Sequence, residues 1–416
     1  MSVLLLAVLS AVTINHEFGV AGDYTNQSYG IIDPDTFTDP EVWDTLDIET
    51  EAGGFWNLGL DIDRGGTHLV AANDLNVSTR SVREALALSL GQNVTSNLGL
   101  RFRNDAELRY YHNALPQLAD TGFQKDYWSN TSGLELGFDV GPGPTISASD
   151  EIQFFCYPRP DSYNYDYLLN RAKVGLWQEL DGISSLSLDY DWSRRWAAVA
   201  DDQDYVEHGL GADLDLYFDF GPRLGLSNSA ARRRYASAGR SYWEENPCVR
   251  VGVDLSSRVE LSLDDEARWT WYDSPNEVYS NLFENRLELG AELRATPELG
   301  FRAGPQYALG RSLPNPTADD YREVSVSVEV DYMRLDRLWC SVGDRLGLRR
   351  YPLADSSFLS NYVFNEFSLM LNWTILKTVG GGLFLSGLVS ISPEWHRDKS
   401  SDLTTRIFTL ELKYGL

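Results

Sequence analysis

Residues 206–220 read VEHGLGADLDLYFDF, and their parity decides the fold. The even positions are Val206, His208, Leu210, Ala212, Leu214, Leu216, Phe218 and Phe220. The odd positions are Glu207, Gly209, Gly211, Asp213, Asp215, Tyr217 and Asp219. One face is apolar and the other is acidic or very small. Period 2 over this length is about twice the usual strand of a soluble protein. A strand so long and so two-faced suits a barrel wall with lipid outside and water inside.

The pattern recurs along the chain. Leu134, Leu136, Phe138 and Val140 alternate with Glu135, Gly137 and Asp139. Val259, Leu261, Leu263, Ala267, Trp269 and Trp271 share one parity, with Arg258, Glu260, Ser262, Asp264, Glu266 and Arg268 on the other. Val324, Val326, Val328, Val330 and Tyr332 alternate with Glu323, Ser325, Ser327, Glu329 and Asp331. None of these runs has the i, i+3, i+4, i+7 spacing of an amphipathic helix.

Turn signals separate the runs at Gly141-Pro142-Gly143, Asp181-Gly182, Gly221-Pro222, Ser256-Ser257, Thr296-Pro297, Leu335-Asp336 and Val379-Gly380. Between them lie longer polar stretches such as 112–125, 158–166 and 352–361. Each unit is therefore a strand, a long loop, a second strand and a tight turn. The turns recur about every 40 residues, a period that a β-propeller also shows, but a blade packs four short strands into it. The expected fold is an all-β transmembrane antiparallel barrel of about eighteen strands, within a range of 16–20, with short periplasmic turns and longer extracellular loops. Nineteen segments are countable, and single-chain bacterial barrels use even numbers.

Composition narrows the function. The chain has 416 residues and a net charge of −26, which opposes nucleic-acid binding, since that requires a basic face. The three cysteines have no metal-ligand spacing, and no cofactor is expected. The five histidines are scattered and no G-x-S-x-G elbow occurs, so an enzyme is not expected. No stretch reaches the ~18–20 apolar residues of a membrane helix, but strands cross bilayers with ~9–11 residues.

Val3–Leu9 is a short apolar run followed by Ser10 and Ala11, so residues 1–21 read as a signal peptide. Residues 22–54 form an acidic segment without Lys or Arg, as a solvated leader or a partial plug. Residues 55–416 are the expected barrel.

At the other end, Phe408, Leu410, Leu412, Tyr414 and Leu416 alternate with Thr409, Glu411, Lys413 and Gly415 up to the last residue. This strand resembles the C-terminal insertion signal of Gram-negative outer-membrane β-barrel proteins. Leu416 departs from the Phe or Trp usual there. The resemblance implies the cell outer membrane of a Gram-negative bacterium, contact with its lipid and delivery by the barrel-assembly machinery. Aromatics near the loop ends (Tyr110, Tyr127, Trp128, Trp192, Trp196, Tyr242, Trp243, Trp269, Trp271, Tyr351, Trp395) read as an outer girdle.

The polar parity then forms the inner wall. The candidate pore-lining residues are Asp213, Asp215, Glu260, Asp264, Glu288, Glu292, Arg258, Arg286, Arg294, Arg302, Arg337 and Arg345. Acids and arginines on opposed walls would set a transverse field that screens ions and small polar solutes. The expected function is a porin-like channel for passive diffusion, working singly or as a homo-oligomer. The alternative is a non-conducting structural or adhesion barrel, whose aromatic loop segments (Tyr163, Tyr165, Tyr167; Tyr242, Trp243) contact a partner.

Overall fold

The computed structural model describes residues 12–28, 48–64, 66–78, 81–111, 126–141, 143–158, 165–198, 203–218, 221–236, 239–276, 279–315, 317–334, 337–353, 360–378, 381–397, 399 and 402–415, with side chains from Phe55 onward except at Arg64, Thr378, Gly381 and Gly415. Twenty strands account for almost all of it. They are β1 (Val12–Ser28), β2 (Ile48–Arg64), β3 (Thr67–Ser78), β4 (Ser81–Asn93), β5 (Leu98–Tyr111), β6 (Tyr127–Asp139), β7 (Thr145–Cys156), β8 (Tyr167–Glu179), β9 (Ser185–Ala197) and β10 (Tyr205–Tyr217). The second half continues with β11 (Pro222–Tyr235), β12 (Tyr242–Ser256), β13 (Val259–Tyr272), β14 (Asn281–Thr296), β15 (Leu299–Leu313), β16 (Tyr321–Arg334), β17 (Leu338–Arg350), β18 (Tyr362–Thr378), β19 (Gly381–His396) and β20 (Leu403–Gly415).

Each strand pairs antiparallel with its sequence neighbours, and β1 pairs with both β2 and β20. The ladder thus returns on itself and leaves no edge strand. The strand missing from the sequence count is β1. Its pairing with β20 sets Val20 against Leu412 and Tyr24 against Phe408. Residues 12–21, read from sequence as part of a signal peptide, and 22–28 and 48–54, read as part of an acidic segment, lie in β1 and β2.

The register keeps parity around the sheet. Leu214 faces Leu186 and Leu226, while Asp213 faces Ser187 and Ser227. The apolar parity points outward: Leu210 is 62% exposed and Leu410 59%. In water such a surface would be an aggregation liability; against lipid it is the solvated face. Among the described residues, the buried apolar side chains are Leu169, Tyr205, Tyr362 and Phe364. All four lie on the inner parity, toward the long-loop end.

Proline has no N–H for a ladder, and a closed barrel has no free edge to hide it. Three strand prolines lie where pairing lapses. The β12–β13 ladder skips Asn246 and Pro247, β14–β15 skips Gly304 and Pro305, and β18–β19 skips Ser392 and Pro393.

Toward the loop end the alternation inverts. Outward positions there carry amides and carboxylates that pair across strands. Asn170 Nδ2 donates to Asp150 at 2.7 Å, Asn285 to Asp265 at 2.6 Å and Asn365 to Asp344 at 2.7 Å. Inward positions carry tyrosine. This inversion is why parity alone begins one strand at Val249 when β12 starts at Tyr242, and ends another at Trp192 when β9 runs to Ala197.

Candidate functional site: an aromatic–arginine collar

Adjacent aromatics at the loop end take opposite faces, because successive side chains on a strand must. In the pairs Tyr127-Trp128, Tyr242-Trp243 and Trp271-Tyr272, tryptophan is outward and exposed at 44%, 50% and 38%. The tyrosines face inward, Tyr242 opposite Tyr272. The expected girdle is therefore two structures. Tyr110, Trp128, Trp243, Trp269, Trp271 and Trp395 stay outside, whereas Tyr127 and Tyr242 line the inner wall.

The inward aromatics form a continuous arc. Tyr127 and Phe155 lie 4.8 Å apart between ring centres, and Phe155 stacks on Tyr167 at 5.4 Å. Tyr167 meets Tyr165 at 6.3 Å. Arginine then alternates with tyrosine. The Arg195 guanidinium lies 5.8 Å from the Tyr165 ring centre and 4.7 Å from that of Tyr205. Arg233 lies 4.4 Å from Tyr205 and 5.7 Å from Tyr242. Tyr242, Tyr272 and Tyr279 complete the arc at 5.6 and 5.4 Å. Each cation–π contact contributes about 0.5–2 kcal/mol, more as water is excluded.

A second arc faces inward from β16 to β19. Arg349 lies 4.7 Å from the Tyr321 ring and 5.7 Å from Tyr362, and Tyr362 sits 4.8 Å from His396. His396 Nδ1 is 2.6 Å from the Ser360 hydroxyl, which holds the imidazole in place.

The arginines differ in what neutralises them. Arg233 Nε donates to Glu207 at 2.5 Å, and Arg349 Nε to Glu323 at 2.8 Å. Arg195 instead donates to the Gln203 carbonyl oxygen at 3.0 and 2.7 Å. Among the described residues Arg195 has no carboxylate at ion-pair distance. Of these three arginines, Arg195 is the one positioned by a neutral acceptor and stacked on tyrosine, with its charge unopposed.

Ten of the twelve residues singled out from sequence lie deeper, on the strands of the wall. Asp215, Glu260, Asp264, Glu288, Glu292 and Arg302 come together around one groove of ≈ 330 Å³, whose floor is made by Gly225, Gly252 and Gly290. Asp213 accepts from the Ser187 hydroxyl at 3.1 Å. Arg286, Arg294 and Arg345 are pinned to Glu288 at 3.4 Å, Glu292 at 2.9 Å and Glu366 at 2.7 Å. Arg302 reaches Glu292 at 3.4 Å. Arg258 and Arg337 sit in the β12–β13 and β16–β17 turns, at the far end from the collar. The arginines do not share a level: Arg302 pairs in register with Glu292, whereas Arg286 pairs with Ala308, six residues further along β15.

Acids and bases also interleave on one wall. Arg223 contacts Glu260, and Arg250 lies 3.7 Å from Asp264. Opposed walls of unlike charge, the basis of the expected solute screen, do not form on this side. Sequence reading missed the collar because Tyr and Trp were assigned to one surface; the dipeptides Tyr127-Trp128, Tyr242-Trp243 and Trp271-Tyr272 were the signal, since neighbours on a strand cannot share a face.

With this geometry the chain can be set beside known proteins. The siderophore receptor PirA from Pseudomonas aeruginosa is similar with a TM-score of 0.58 and 10% identity, over 96% of this chain and 80% of that one. The fold is that of outer-membrane receptors. The FrpB iron transporter from Neisseria meningitidis gives 0.56 and 8%, over 96% and 81%. The alcaligin outer-membrane receptor FauA from Bordetella pertussis gives 0.51 and 12%, over 96% and 76%. No family model matches the chain, and no curated protein matches it by sequence.

The class-level resemblance to Gram-negative outer-membrane barrels holds at the level of fold. The passive porin does not. The structures that this barrel resembles are receptors and iron transporters. The last strand keeps its outward parity, with Phe408, Leu410 and Leu412 exposed at 36%, 59% and 39%. Tyr414 shares it, opposite Leu383, and Leu416 lies outside the described residues.

Proposed function

We propose that this chain is a ligand-specific uptake receptor of the Gram-negative outer membrane, and that the collar is where its solute docks. The observation that carries the reading is the stack Tyr165–Arg195–Tyr205–Arg233–Tyr242, with the Arg195 charge unopposed. Such a surface suits a compact anionic solute with flat faces: the guanidinium takes the charge and the tyrosine rings take the faces. Ferric chelates combine both properties, and the likeness to a siderophore receptor and an iron transporter supports that class. The outward Phe408, Leu410, Leu412 and Tyr414 support delivery by the barrel-assembly machinery.

The test is titration of the refolded chain with ferric complexes of a catecholate, a hydroxamate and citrate, read by quenching of intrinsic fluorescence. Saturable binding of one of them, weakened about tenfold or more by Arg195→Gln, is expected, because one charge-assisted hydrogen bond contributes roughly 1.5–3 kcal/mol. Binding by none of the three, or binding indifferent to Arg195 and Arg233, would overturn the reading.

A further inference from the structure

Three arginines stand apart from the salt-bridged inner wall. Arg311 on β15, Arg322 on β16 and Arg350 on β17 lie at the loop end on the outward parity, and all three are exposed. Arg322 is directly opposite Arg350 in the ladder, and on its other side it faces Leu309, two residues before Arg311. Among the described residues these arginines form no ion pair. By contrast, Arg232 on the same outward rim is paired with Asp273 at 2.5 Å, and the inner Arg345 and Arg349 share Glu323.

Like charges directly opposite in adjacent strands repel. A chain with 61 acidic residues against 35 basic ones nevertheless leaves three guanidinium groups together without a carboxylate. Below them the wall is apolar and open: Val324, Val326 and Leu346 are 57%, 52% and 54% exposed, with Tyr307 opposite Val324. The first outward carboxylate down these three strands is Asp344, opposite Val328, and it is occupied by Asn365 Nδ2 at 2.7 Å.

We propose that the outer rim of β15–β17 binds the phosphate of an anionic lipid, with the acyl chains lying along Val324, Val326 and Leu346. Planar guanidinium groups match phosphate oxygens bidentately, and one phosphate between Arg322 and Arg350 turns repulsion into bridging. The apolar strip adds contact that a free phosphate cannot use, so the lipid-borne anion binds more tightly. The proposal rests on the outer wall facing lipid and is independent of the collar's solute.

Native mass spectrometry of the full chain in a neutral detergent, titrated with phosphatidic acid, tests it. Arg311→Gln, Arg322→Gln and Arg350→Gln together should weaken binding of one lipid about a hundredfold, at roughly fivefold per basic side chain near a membrane surface. Phosphatidylcholine should not bind at this site, and inorganic phosphate should not compete. Equal binding by the triple variant, equal binding of phosphatidylcholine, or full competition by inorganic phosphate would each overturn the proposal; the last would make it a soluble-anion site. If the triple variant does not refold, Arg322→Gln alone carries the same test with about a fivefold loss. Collar titration of the variant, expected unchanged, keeps failure of this site distinct from failure of the receptor reading.

Discussion

Tyr321 lies against Gly310 so closely that a Cβ on the glycine would fall 2.4 Å from the ring's Cε1. The two residues face each other across the β15–β16 ladder, and only the missing side chain lets the ring lie flat on the wall. From there Tyr321 meets the Arg349 guanidinium at 4.7 Å. Gly310→Ala should push the ring off the wall and loosen that stack, at about 1–3 kcal/mol for an overpacked contact. Urea unfolding in lipid vesicles measures it; a midpoint equal to that of the parent chain would show that the ring has another resting place.

Glu323 is 3% exposed and serves two cations, Arg345 at 3.3 Å and Arg349 at 2.8 Å. Glu323→Gln leaves the Arg349 guanidinium without a carboxylate and Arg345 with Glu366 alone. The expected loss is about 3–5 kcal/mol, as for other broken buried pairs. Combining it with Arg349→Gln should recover part of the loss. Strict additivity in that double-mutant cycle would mean that the two groups do not interact.

The outward pair Asn285–Asp265, at 2.6 Å, satisfies a carboxylate on the lipid side of the barrel. Asn285→Leu strands that carboxylate and should cost about 1–3 kcal/mol. Replacing both residues with Leu removes the unmet group along with its partner and should be close to neutral. The comparison is again of vesicle unfolding midpoints, and a double variant as damaged as the single one would contradict it.

In the β8–β9 turn the Asp181 carboxylate accepts from the Ser184 amide at 2.6 Å and from the Ser184 hydroxyl at 3.0 Å. These bonds favour the ionised form and hold its pKa below the usual 3.8, the backbone bond first and the hydroxyl second. Since the folded value lies below the unfolded one, the clamp is complete above pH 3.8 and is lost as pH falls through the folded value. Hydrogen exchange at the Ser184 amide should accelerate, beyond its intrinsic pH dependence, only in that acidic window. Asp181→Asn should abolish the extra step, and a step that persists would assign it to another group.

How much of this was legible in the sequence follows from where alternation is clean. Between Leu210 and Leu216 lipid and water sort the side chains directly, so strand, face and topology are readable. Near the loop end the sorting reverses. Asn170, Asn285 and Asn365 face outward and Tyr205, Tyr242 and Tyr362 inward, so hydropathy there points the wrong way. The pairing among the charged residues was not readable. Glu323 on β16 serves both Arg345 and Arg349 of the neighbouring β17, and no local spacing encodes that.

By itself the sequence determined an antiparallel all-β barrel and, where alternation is clean, which side of a strand faces out, because partition between lipid and water acts on single residues at period 2. Only the tertiary structure decided that β1 joins β20, bringing Phe18 opposite Tyr414, and that Arg195, Tyr205 and Arg233 stack. Parity survives a slip of two residues, whereas the identity of cross-strand neighbours does not. The collar and the phosphate-ready rim are both products of that register, and the register is set jointly by the turns, the ladder gaps at proline and the closure of the sheet.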